Sequence, residues 1–153
     1  MPSYEYRDGQ LVEVPDLIVR TSGDLHEEVH RTLVIASGVE LAVHGVISGT
    51  VNVQSGAVLD ARNDVYGTVN VEPDAQMRVH KHANDTLNVQ RGGTITILPS
   101  AVALGTIHVE GTLINEGTRG TQVHGAGAIE DREGSSVRPP DETRGDGAVV
   151  YYG

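Results

Sequence analysis

The sequence predicts an all-β, single-domain fold: a parallel β-helix, or solenoid, of about 18 residues per coil. Three observations predict it. The chain repeats itself from Thr32 onward, in the blocks Thr32–Gly49, Thr50–Gly67 and Thr68–Asp85, each opening Thr-Leu/Val-x-Val/Ile. Such self-similarity is the signature of a stacked repeat architecture. Within a block the apolar residues alternate, pause at a turn and alternate again: Val51 and Val53, then Ser55-Gly56, then Ala57, Leu59 and Ala61, then Arg62-Asn63-Asp64 and Val65. A period of two over four or five residues marks a strand buried on one face. Finally, like residues fall into columns, with Thr32, Thr50, Thr68, Thr86 and Thr106 in one and Asn52, Asn70 and Asn88 in another. Stacking at the strand spacing of about 4.8 Å makes such columns into ladders.

Taken in order, residues 1–13 carry Tyr4-Glu5-Tyr6, alternating as a strand does, before the turn signal Asp8-Gly9. They read as an N-terminal cap. The β-helix is expected over residues 14–129, in about six coils. Its first coil, Val14–Arg31, offers Leu17, Val19, Leu25 and Val29 inward around a Ser22-Gly23-Asp24 turn, and its second half is charged, as befits a terminal coil. The fourth block, Thr86–Gly105, adds two residues near its end; a shorter coil follows Thr106, and Thr121–Ile129 reads as a degenerate last one. Residues 130–147 are polar and rich in Pro and Gly, and read as a flexible linker. Residues 148–153 form an apolar end carrying Tyr151 and Tyr152. No 3.6-residue period persists, so no helix is expected. Val53, Leu59 and Val65 are six apart, as in a left-handed hexapeptide helix. Each coil nonetheless has a five-residue alternating segment, and parallel crossovers are overwhelmingly right-handed, so the right-handed form is favoured.

The pattern of Gly-Thr-Val-x-Val followed by Gly-x-x-Leu-x-Val-His-Gly-x-Ile-x-Gly, as in Ser37–Asn52, resembles the bactofilins and bactofilin-like bacterial β-helices. The likeness covers about Leu17 to Ile114. It implies a bacterial β-helix that polymerises into a cytoskeletal scaffold and has no active site.

Composition narrows the function classes. The chain has 153 residues, no Phe, Trp or Cys, and 3% aromatics, so its core is built of small aliphatics and neither disulfides nor thiol chemistry is available. Twenty-one acidic residues against 11 basic ones give a net charge of −10. With no basic patch, nucleic-acid binding is not expected. The N-terminus lacks the basic start and apolar core of a signal peptide, and no apolar run approaches a membrane span, so a cytoplasmic protein is expected.

Candidate chemistry is sparse. His80 and His82 lie two apart and share a face, but the repeat places no third ligand beside them. His44 and His80 share a column with Arg62 between them, about 9.6 Å apart and too far for joint ligation. Neither the gamma-class carbonic anhydrases nor the hexapeptide acyltransferases, the two enzyme alternatives, match in ligand spacing or hexad regularity. No metal or cofactor site is therefore expected, and the chain reads as non-enzymatic. The reading is an acidic protein-interaction module docking on a protein partner, an immunity protein neutralising a basic bacterial toxin being one case; a self-assembling bactofilin-like scaffold is the alternative. The candidate interaction residues are Tyr4, Tyr6, Asp60, Asp64, Glu72, Asp74, Tyr151 and Tyr152.

Overall fold

A computed structural model of the chain describes residues 3–7, 10–14, 17–83, 85–120, 122–137, 142–143 and 149–150, with side chains from Leu17 to Val137. Among these residues there is no helix, and so none long and apolar enough to cross a membrane. The β-solenoid is as expected, but two of its parallel sheets contain seven strands each, one coil more than the repeat count suggested. The first face stacks Leu17–Val19, Leu33–Ile35, Val51–Val53, Val69–Val71, Leu87–Val89, Ile107–Val109 and Val123–His124. The second stacks Gly23–Leu25, Glu40–Val43, Val58–Ala61, Gln76–Val79, Thr94–Ile97, Thr112–Asn115 and Ala128–Asp131. A third, narrower face runs through the bridges Val29, Ile47, Val65 and Ala83 and ends in Val102–Ala103, Thr118–Arg119 and Ser136–Val137.

Register holds from coil to coil: Val51 pairs with Val69, Asn52 with Asn70 and Leu59 with Met77. The inward positions are fully buried along the stack, as in Val51, Val69, Leu87 and Ile107 on the first face and Leu59, Met77, Ile95 and Leu113 on the second. Branched and linear aliphatics suffice because stacked coils leave no gap that an aromatic ring would have to fill.

The corner between the first two faces shows how local sequence makes the fold. In four successive coils a turn closes from the residue after the strand, with Val39 N–H donating to Ala36 O, Ala57 to Gln54, Ala75 to Glu72 and Gly93 to Gln90. Its third residue has positive φ: Gly38 at 78°, Gly56 at 78°, Asp74 at 65° and Gly92 at 89°. That is the type II geometry, which favours Gly there and accepts Pro just before, as Pro73 stands before Asp74. Asp74 is the non-glycine exception in a glycine column. At the far corner, a Cβ on Gly67 would lie 1.9 Å from Gly49 O, so main chains touch there and no larger residue fits.

Several expected boundaries move. Val14 pairs with Ser3 in an antiparallel hairpin of Ser3–Arg7 and Gln10–Val14, so it is not part of the first coil, which starts at Leu17. Gly23 and Asp24 extend a strand against Leu41 and Ala42 and are not a turn. Residues 130–137 are not linker: Glu130 and Asp131 pair with Ile114 and Asn115, and Ser136 and Val137 with Thr118 and Arg119. Their polarity reflects a terminal coil whose outer side meets water. Within the remaining span Glu142–Thr143 pairs with Val149–Val150. Tyr151 and Tyr152 lie outside the described residues, as does the Asp8-Gly9 turn.

Two outcomes are expected. Leu59→Ala, which opens a cavity between fully buried neighbours, lowers unfolding free energy by about 2–5 kcal/mol in urea denaturation. Asp74→Gly raises it by about 0.5–1 kcal/mol, because glycine takes positive φ without the Cβ penalty.

Candidate functional site

A dense polar cluster lies on the second face, where the register brings Asp60, Arg62, Arg78 and His80 together. Asp60 is only 8% exposed. Arg62 Nε donates to its Oδ2 at 3.0 Å, His80 Nε2 donates to its Oδ1, and Arg78 Nε lies 3.6 Å from the same oxygen. One coil toward the N-terminus, His44 Nε2 donates to Asp24 Oδ1 at 2.9 Å, and the His26 and His44 rings stack with centroids 4.4 Å apart. A shallow open groove of about 280 Å³ runs beside these groups, lined by Ser22, Asp24, Glu40, Ala42, Asp60 and Arg78. Burial of Asp60 is tolerable only because its charge is surrounded by donors.

The third face carries two further sets. His82 Nδ1 donates to Asp64 Oδ1 at 2.8 Å, and the Tyr66 hydroxyl reaches Asp64 Oδ2 at 3.3 Å. Ser48, His30 and Glu28 line up like a nucleophile, a base and its orienter: Ser48 Oγ is 2.8 Å from His30 Nδ1, and His30 Nε2 is 3.1 Å from Glu28 Oε2. The Ser48 hydroxyl also donates to Val29 O at 3.2 Å. The Glu28, His30 and Ser48 side chains are all exposed.

The candidate interaction residues fall into different settings. Asp60 and Asp64 are consumed by internal partners and present little free charge. Glu72 and Asp74 sit on the corner between the first and second faces; Asp74 is exposed and Glu72 half-buried. Tyr4 and Tyr6 lie on the first strand of the N-terminal hairpin. The structure thus brings Glu72 and Asp74 to one corner but does not gather the acidic set on one surface. His80 and His82, the suspected chelating pair, each turn to a carboxylate of the preceding coil, and among the described residues no three potential ligands converge on a metal position.

A second polar site lay beyond the sequence reading. Asn115 occupies the inward column of Val43, Ala61, Val79 and Ile97, yet it is fully buried. Its Nδ2 donates to Asp131 Oδ1 and to Ser136 O, each at 3.0 Å, and its Oδ1 accepts from Gly117 N–H at 3.1 Å. Arg119 grips Asp131 through two bonds of 2.8 Å. The aliphatic interior therefore ends in an ionic plug. Column arithmetic would have found the Asp60 cluster, since Asp60 and Arg78 are one coil apart and so are Arg62 and His80. It could not find the plug, because the spacing from Asn115 to Asp131 drops to 16 residues.

Three carboxyls sit below the usual carboxylate range. The hydrogen bond from His44 lowers Asp24, aided by its charge. Burial pushes Asp64 up, but His82 and Tyr66 together outweigh it. Arg119, with help from Asn115, lowers Asp131 against burial. A depressed folded-state pKa stabilises the fold above the unfolded carboxylate value, and that contribution disappears as pH falls through the folded value. Acid titration followed by circular dichroism should show stability falling below about pH 4, the unperturbed Asp range. Asp131→Asn should lower stability at pH 7 and flatten that acid limb.

No protein-family model, curated protein or solved structure matches this chain.

Proposed function

We propose that the chain is a cytoplasmic, non-enzymatic protein-interaction module that docks on a partner through its side faces. The observation that carries this reading is the closure of its C-terminal end. There Asn115, Arg119 and Asp131 replace the aliphatic interior, and the edge strand Ala128–Asp131 is exposed and followed by Arg132 and Glu133. Charged edge strands resist pairing with another chain. A solenoid that polymerised end to end would need a dry, apolar continuation at that position. The C-terminal end is therefore an unfavourable contact surface, which favours the sides for docking.

A net charge of −10 favours a basic partner and speeds encounter with one. Glu72 and Asp74, on one exposed corner, are the acids best placed to meet it, whereas Asp60 serves the fold.

Light scattering across protein concentration and salt tests the first half of the reading. A monodisperse small species is expected; long polymers would instead support the bactofilin-like scaffold. Affinity capture from host extract, followed by kinetics on the recovered partner, tests the second. Salt should slow association, and Asp74→Lys should slow it further, at a small cost in thermal stability because lysine tolerates the positive φ less well than aspartate. Asp60→Asn should act the other way, lowering stability with little effect on association. Association indifferent to both salt and Asp74→Lys would end the electrostatic reading.

A further inference from the structure

The two ends of the solenoid differ. At the C-terminal end Asn115, Arg119 and Asp131 fill the interior with bonded polar groups, whereas the N-terminal end keeps an apolar notch. Between the first two faces the first coil has three residues, Arg20 to Ser22, where the second has five, Ala36 to Glu40. No counterpart of Val39 therefore overlies it. The residue paired with Leu41 is Gly23, which has no side chain to lay on it. A Cβ at Gly23 would meet no atom within 4 Å, so the space is open. Val39 and Leu41 are 6% and 4% exposed, where every other buried hydrophobic among the described residues is at most 2%. Around them Leu17, Val19 and Leu25, the inward residues of the first coil, are only half-buried.

We propose that the N-terminal hairpin, Ser3–Arg7 with Gln10–Val14, folds over this notch and closes it. Its register pairs Tyr4 with Glu13 and Tyr6 with Leu11, so Tyr4, Tyr6 and Leu11 fall on one face of the hairpin. Glu5, Arg7 and Gln10 fall on the other, with Ser3, Val12 and Val14. Only Pro15 and Asp16 join the hairpin to Leu17, which keeps Val14 within about 11 Å of the first coil. So short a tether makes docking intramolecular at high effective concentration, and the loop to be closed costs little entropy. A two-stranded hairpin is marginal in water by itself and needs a surface to pack on. Tyrosine suits the rim of such an opening, since its ring covers apolar area while its hydroxyl stays wet. In a chain with no Phe or Trp, two of the five tyrosines stand on the segment that reaches the notch. A second copy's hairpin, or an outside peptide, would have to compete with one already tethered in place. The cap and the side faces are independent: either can fail as a contact surface without the other.

Nuclear Overhauser spectra of the full chain with labelled methyl groups test the cap directly. The Tyr4 and Tyr6 rings are expected to show contacts to methyls of Leu17, Leu25 or Leu41. Tyr4→Ser with Tyr6→Ser is expected to melt about 5–10 °C below wild type. Glu5→Gln with Arg7→Gln, on the opposite face of the hairpin, should melt within about 2 °C of it. Sedimentation velocity should show wild type as a monomer. Rings without a contact to any of these methyls overturn the proposal, as does a double-serine chain that melts with wild type. So does a wild-type dimer whose ring-to-methyl contacts run between differently labelled copies, which would put a second copy's hairpin in the notch.

Discussion

Main-chain hydrogen bonds between matching positions of successive coils are the constraint on which the rest of this structure depends. Leu33 N–H meets Thr50 O, Val51 meets Thr68, Val69 meets Thr86 and Leu87 meets Thr106, so each coil is templated by its neighbour. A slip of one residue would turn every inward aliphatic to water and every Asn and Thr to the interior. Burial and register therefore enforce one another. The polar ladders follow from the same constraint, because side chains one coil apart are held within hydrogen-bonding distance whatever their chemistry.

The axis of the solenoid has a direction in its chemistry. Its middle coils are dry inside, and the last ones exchange that interior for amide, carboxylate and guanidinium. Ile129, the final residue of the inward column that contains Leu59, is 44% exposed, which marks where the hydrophobic stack runs out. Replacing apolar contacts by a satisfied polar network at an end costs little stability.

Much of the fold was legible because a solenoid writes its geometry as simple periodicity. Thr50, Asn52, Val53 and Leu59 could be assigned inward or outward by parity alone, and their neighbours one coil away by adding eighteen. Legibility failed where the spacing changed. Pro99 and Ser100 lengthen one corner, so Val89 pairs with Val109 twenty residues on; the corners at Gly111 and Gly127 are two residues shorter, so Ile97 pairs with Asn115 eighteen on and Asn115 with Asp131 sixteen on. The polar character of residues 130–137 suggested a linker because a terminal coil and a linker share composition; only backbone pairing separates them. The candidate site was less legible still. A count of acids says nothing of which are already neutralised, and Asp60 and Asp64 are held by partners from neighbouring coils.

Those corner changes have a further consequence. The two residues gained around Pro99-Ser100 give a twenty-residue step on the third face, from His82 to Val102, and on the first, from Val89 to Val109, while the second face keeps eighteen from Ile97 to Asn115 because the corner at Gly111 is two residues shorter. Length added at one vertex is thus carried round the coil and offset at another, and the walls keep their pairing. The vertex at Leu98–Ala101 is accordingly a natural port for displaying a foreign peptide: an inserted loop would project from a rigid shaft, its position along the axis set by the coil chosen to carry it.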